Sequence, residues 1–131
     1  FITHNLDFEW RGYSYGVQPA NNHFEIAKEA LTVAGCDIYH PTQDELTGAE
    51  IAFGGDMTRS LKQNNYFVLE TEAQGYPCWT PYPGQLRQQA FSHVASGAAL
   101  VEYWHWHSIH NSFETYWRGL LSHDFKKSCI L

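Results

Sequence analysis

The stretch Tyr66-Phe67-Val68-Leu69-Glu70 decides the fold. Four apolar residues lead straight into a carboxylate. A strand buried on both faces, as in a parallel sheet, reads as a continuous apolar run rather than an alternating one. In an α/β barrel the functional side chains sit where such strands end. Thr71 and Glu72 follow, then a loop holding Gly75, Pro77, Trp79, Pro81, Pro83 and Gly84.

Working outward, the pattern predicts strands over 2–5, 36–40, 66–71 and 99–106. It predicts helices over 23–34, 49–63, 85–96 and 112–121. Phe24, Ala27, Leu31 and Ala34 keep helical spacing in the first helix. Asn21 or Asn22 can cap it, and Gly35 closes it. The pair Gly54-Gly55 counts against the second helix. Strands that alternate with helices indicate a parallel sheet, and right-handed crossovers place the helices outside it. All strand C-termini then lie at one end, where Asn5, His40, Glu70 and Trp106 meet. A strand-end Glu near Trp and His side chains suggests a glycosidase carboxylate.

The composition fits one domain with a real core: 131 residues, 44% hydrophobic and 17% charged. Five Trp, eight Tyr and eight Phe are partly core and partly the flat faces that sugar sites favour. The net charge of −6, with Lys126-Lys127 as the one basic cluster, argues against nucleic acid as a partner. No apolar run reaches the roughly 18 residues of a membrane span. The widely spaced Cys36, Cys78 and Cys129 match no metal motif or disulfide framework and read as idle thiols. Free thiols lean towards a reducing interior, which favours the cytoplasm. The start at Phe1-Ile2-Thr3 reads like the middle of a domain.

From Asn65 to Asp124 the sequence resembles the glycoside hydrolase family 42 β-galactosidases. The matching pieces, in order, are Leu69-Glu70, Trp79, Pro83-Gly84, Gly97-Ala98, the aromatic run Tyr103-Trp104-His105-Trp106-His107, Glu114, and Gly119-Leu120-Leu121. Thr3-His4-Asn5, Asp37-Ile38-Tyr39 and Asp56-Met57-Thr58-Arg59 match more loosely. The resemblance implies a parallel (βα)4 half of a TIM (β/α)8 barrel, strands five to eight. Residues 1–131 would then be a single partial domain, the C-terminal half of a catalytic barrel. A whole barrel takes about 250 residues. The family's acid/base Glu follows an Asn, and no Asn-Glu dipeptide occurs in these 131 residues. That residue is therefore expected upstream of Phe1.

By resemblance Glu70 is the nucleophile of a retaining hydrolase that forms a glycosyl-enzyme ester. Read by itself, it is equally a strand-end Glu in a surface ion pair. Glu72 is a nearby rival, read as a loop residue. Trp79 matches the family Trp that packs on the galactosyl unit. Trp106 is expected as the sugar platform at the last strand's end, and Glu114 as a ligand of sugar hydroxyls. Trp117 stands where the family often has His, and His105 and His107 stand where it has Arg. Asn5, with Asp37, Tyr39 and His40, is a weaker strand-end candidate. The aromatics have core roles as their alternative, and Glu114 an exposed helical one. His105, His107 and His110 tempt a metal reading, but no third ligand has fitting spacing. No metal and no cofactor is expected.

The parent protein is thus expected to hydrolyse terminal β-D-galactosyl residues of an oligosaccharide or other galactoside. The alternative is a non-catalytic carbohydrate-binding or assembly module. A half-barrel leaves two sheet edges and an apolar face uncovered. Homo-oligomer formation, or pairing with the missing half-barrel, is expected, and the chain alone is expected to be inactive.

Overall fold

The computed structural model describes residues 1–7, 23–40, 47–74 and 80–127. It has four strands, β1 (Asn5–Leu6), β2 (Gly35–Asp37), β3 (Tyr66–Glu72) and β4 (Ala98–Trp104). Three helices alternate with them: α1 (His23–Glu29), α2 (Ala49–Lys62) and α3 (Gln85–Ala95). The strands form one sheet in chain order, β1-β2-β3-β4, and every pairing is parallel. The helices pack on one another in the same order, α1 on α2 and α2 on α3. This is an α/β fold of successive strand–helix units, the arrangement of a partial (β/α)8 barrel.

The central run behaves as its composition requires. Tyr66 and Val68 are fully buried and join Leu6, Ala27, Leu31, Cys36, Ile38, Leu61 and Ala98 in one apolar cluster. The Cys36 thiol is part of it, and burial pushes it up to about 12. That makes it a packing group rather than a nucleophile at ordinary pH.

Helix α2 runs through Gly54-Gly55 without a break. A Cβ at Gly54 would press on the Ile38 side chain, and one at Gly55 would collide with the Tyr66 hydroxyl and the Ser96 side chain. The two glycines let the helix lie directly on β2 and β3, and this close approach outweighs their low helix propensity. Thr58 in the next turn donates its hydroxyl back to the Gly54 carbonyl at 2.6 Å.

Several boundaries differ from the sequence-based expectation: β1 is Asn5–Leu6 rather than 2–5, and β2 ends at Asp37 rather than His40. Helix α1 stops at Glu29 rather than reaching Ala34. Thr32 N–H instead donates to the Ile2 carbonyl at 2.7 Å, which ties the approach to β2 to the residues before β1. Strand β4 stops at Trp104, so His105 and Trp106 lie beyond it. The helix expected over 112–121 is a series of turns. Its backbone is claimed elsewhere: Leu120 and Leu121 N–H donate to the His105 and Trp106 carbonyls, each at 2.9 Å. Gly119 packs so tightly on the His107 backbone that a Cβ there would clash. The fourth unit therefore has a strand and no helix among the described residues.

Gly55→Ala should lower the thermal midpoint, with a loss of about 1–3 kcal/mol from overpacking against Tyr66 and Ser96. Thermal unfolding followed by circular dichroism checks it. An unchanged midpoint would mean that α2 does not need this close approach.

Candidate functional site

Each strand delivers side chains to one end of the sheet. Asn5 stands on β1, Asp37 ends β2, and Glu70 lies near the end of β3. The β2–β3 register sets Asp37 opposite Glu70. The Asn5 amide lies between the two carboxyl groups. It donates to Asp37 Oδ1 at 3.0 Å and to Glu70 Oε1 at 3.1 Å. The second Glu70 oxygen accepts the Tyr39 hydroxyl at 3.1 Å. Glu70 is half-buried, and so are Asp37 and Tyr39.

An open cleft of about 290 Å³ lies over this group, lined by Asp7, Asp37, Tyr39, Glu70, Trp104, Glu114 and Trp117. Its far wall comes from β4 and the turns after it. Trp104 Nε1 donates to Glu114 Oε2 at 3.0 Å, which orients that carboxylate. Trp117 is buried, and its ring lies 5.8 Å from that of Tyr39. Two indoles and several carboxylates around one open space make a polar floor with apolar walls, the usual build of a small-ligand site.

The electrostatics follow from partial burial beside like charges. Burial raises the Glu70 carboxyl above its usual range, the Tyr39 and Asn5 donors oppose the rise, and the Glu114 charge adds to it. Asp37 moves further, from 3.8 to about 7, through burial first and then the facing Glu70 charge. The Tyr39 hydroxyl is pushed up by burial and by Glu70, so it stays a proton donor. The Tyr39 and Asn5 donors favour the charged form of Glu70, while the neighbouring Asp37 holds its proton towards pH 7.

The sequence-based candidates divide. Glu70, Asn5, Glu114 and Trp117 come together. Trp106 lies past the end of β4, is 65% exposed and does not line the cleft; Trp104 stands there instead. The His105 ring meets the Trp104 ring edge-on at 5.5 Å and is also outside the lining. His107 lies past the end of β4 and stacks on Phe125. Trp79 lies outside the described residues. Glu72 is not a loop residue: it ends β3, is 2% exposed and holds His40 Nδ1 at 2.9 Å. Among the described residues no group of His, Cys, Asp or Glu is arranged to hold a metal ion. Asp37, Tyr39 and Trp104 are the residues that sequence reasoning undervalued. The signal for Asp37 and Tyr39 was their place just before Pro41, at a strand's polar end.

With this geometry in view, the relatives are informative. The glycoside hydrolase family 42 model, described as beta-galactosidase, matches residues 1–130, and the chain belongs to that family. Beta-galactosidase BgaA of Clostridium cellulovorans is 32% identical over 111 residues, which cover 77% of this chain and 16% of that protein. The chain therefore spans about a sixth of that relative's length. Among solved structures, the β-galactosidase of the Antarctic haloarchaeon Halorubrum lacusprofundi superposes with a TM-score of 0.76 at 23% identity. It covers 96% of this chain, which spans 20% of the solved one. A catalytic mutant of a GH42 beta-galactosidase from G. stearothermophilus gives 0.76 at 20% identity, over 95% of this chain and 19% of its own. At these identities the structural likeness speaks for the fold.

Asp37 gives a pH test. The unfolded chain releases this proton near 3.8 and the native one near 7, so between those values the native state holds a proton that the unfolded state lacks. Stability should therefore fall as the pH rises through this window. Asp37→Asn should flatten the fall, read from urea midpoints at several pH values. An unaltered pH profile would mean that Asp37 is not held protonated beside Glu70.

Proposed function

We propose that this chain carries the nucleophile side of a retaining β-galactosidase site. The carrying observation is the Glu70 carboxylate: it sits near a strand's C-terminal end, faces the cleft, and has both oxygens engaged by neutral donors. Asn5 and Tyr39 hold it in place without neutralising it. Glu70 attacks the anomeric carbon, the leaving oxygen departs with a proton, and an ester joins the sugar to Glu70 until water releases it. The Tyr39 and Asn5 hydrogen bonds also favour the carboxylate that leaves when the ester is cleaved.

The sugar lies against the apolar wall. Trp104 and Trp117 supply flat faces, and Glu114, oriented by Trp104 Nε1, accepts sugar hydroxyls. A retaining mechanism needs a second carboxyl group about 5–5.5 Å from the nucleophile to act as acid and then base. Glu114 is committed to Trp104, and the sequence lacks the family's Asn-Glu pair. We place the acid/base residue outside these 131 residues. The segment that supplies it would also cover the free edges of β1 and β4. The chain alone would then bind a galactoside at best.

In the complete enzyme, Glu70→Gln should lower kcat on an aryl β-galactoside by roughly three orders of magnitude or more with the fold intact. Gln keeps the shape and cannot form the ester. With Glu70→Ala, azide should restore part of the turnover and give the inverted glycosyl azide. Wild-type turnover in Glu70→Gln would remove Glu70 from this role. Binding of galactosides without turnover in the complete wild-type protein would favour the carbohydrate-binding reading.

A further inference from the structure

Strand β2 ends at Asp37, yet Tyr39, two residues later, must present its hydroxyl to Glu70. Something other than a continuous ladder has to hold residues 38–40 in place. The contacts on either side of Tyr39 show what does. On one side, Ile38 N–H donates to the Glu70 carbonyl at 3.0 Å, and the Ile38 carbonyl accepts the Thr71 hydroxyl at 2.8 Å. On the other, His40 is held by a single side chain: Glu72 Oε1 takes its backbone N–H at 3.2 Å and its ring Nδ1 at 2.9 Å. Glu72 Oε2 lies 3.0 Å from the Thr71 hydroxyl, so the same carboxyl group reaches both anchors.

The clasp is shut away from solvent. Thr71, Glu72 and His40 are each at most 3% exposed. Behind His40 lies the His93 ring of α3, 5.9 Å away and fully buried. Burial, with His40 adding to it, lowers His93 to about 3, so it faces His40 as a neutral wall. Glu72 does not line the cleft. A carboxyl group is costly to bury unless its contacts repay it. Here they fix the main chain on both sides of the phenol that touches Glu70.

We propose that Glu72 is a positioning residue, which acts through His40 and Thr71 to hold the Tyr39 hydroxyl on Glu70. The inference rests on Glu70 as the nucleophile. Glu72 itself touches neither the sugar nor the reacting atoms. Loss of the Glu72 contacts frees His40 from β3 while Ile38 stays tied, and the loosened Tyr39 withdraws one of the donors that favour the Glu70 carboxylate. The groups facing Glu70 are then Asn5 and Asp7 from the β1 side, Asp37 from β2 and Glu114 from beyond β4. Of those, the Glu114 charge opposes ionisation of Glu70, and the Asn5 amide is the side-chain donor that remains.

The test is a double-mutant cycle in the complete enzyme. Tyr39→Phe should lower kcat on the order of 10- to 100-fold, as expected for one hydrogen bond to a charged group. It should also move the acid limb of kcat/KM to higher pH, because the lost donor favoured the ionised carboxylate. Glu72→Ala should do both, and in the Tyr39→Phe background it should cost less than about twofold more. Glu72→Gln should return most of the activity, since its oxygen still accepts both His40 donors and its amide reaches Thr71. Should Glu72→Ala not fold, His40→Phe carries the same cycle, because it keeps the ring volume and removes the ring donor. A Glu72 or His40 loss that persists undiminished beside Tyr39→Phe overturns the proposal, and so does a folded Glu72→Ala with wild-type kcat. Turnover by Glu70→Gln marks the separate failure of the nucleophile reading.

Discussion

Asp37 and Glu70 oppose one another on a single rung of the β2–β3 ladder, with the Asn5 amide donating to both. Two half-buried carboxyl groups at that separation repel when both are ionised. The site resolves the conflict by sharing out protons and donors. Asp37 keeps its proton towards pH 7, while Glu70 receives the Tyr39 hydroxyl as a second donor. This depends on parallel pairing in chain order, which brings one side chain from each of three successive strands to the same end. A slip of one residue in β2 would turn Asp37 to the other face and replace it with Cys36 or Ile38.

The scaffold behind the rung is built for close approach. Glycines 54 and 55 let α2 press on Ile38 and Tyr66, and Ile38 is the residue whose backbone is held by β3 on the way to Tyr39. The core and the site are therefore mechanically continuous: Val68 and Ile38 fill the apolar layer, and Glu70 and Tyr39 follow them two residues and one residue later. The opposite wall hangs from β4 through a different device. Gly119 and Leu121 fold back on His107 and Ser108, and this brings Glu114 and Trp117 over the cleft without a helix.

The sequence made some of this legible. A continuous apolar run marks a doubly buried strand, so β3 and its Glu70 could be read directly, and helical spacing located the start of α1. The rest depended on contacts between distant residues. The run from Tyr103 to His107 holds no turn-forming residue, so nothing local shows that β4 stops at Trp104 rather than Trp106. Residues 112–121 lose their helix to hydrogen bonds with His105 and Trp106, which lie close by only after folding. Glu72 read as a loop residue because its partner His40 is 32 residues away. Asp37 and Tyr39 gained weight only once the register placed them beside Glu70.

The most direct test of the central claim is covalent. The complete enzyme would be inactivated with a 2-deoxy-2-fluoro-β-galactoside carrying a good leaving group, digested, and the labelled peptide sequenced by mass spectrometry. The fluorine slows release of the ester, so the nucleophile stays marked. A label on Glu70 is the expected result. A label on Glu72, on Glu114 or on a residue outside this chain would contradict the assignment of Glu70 as the nucleophile.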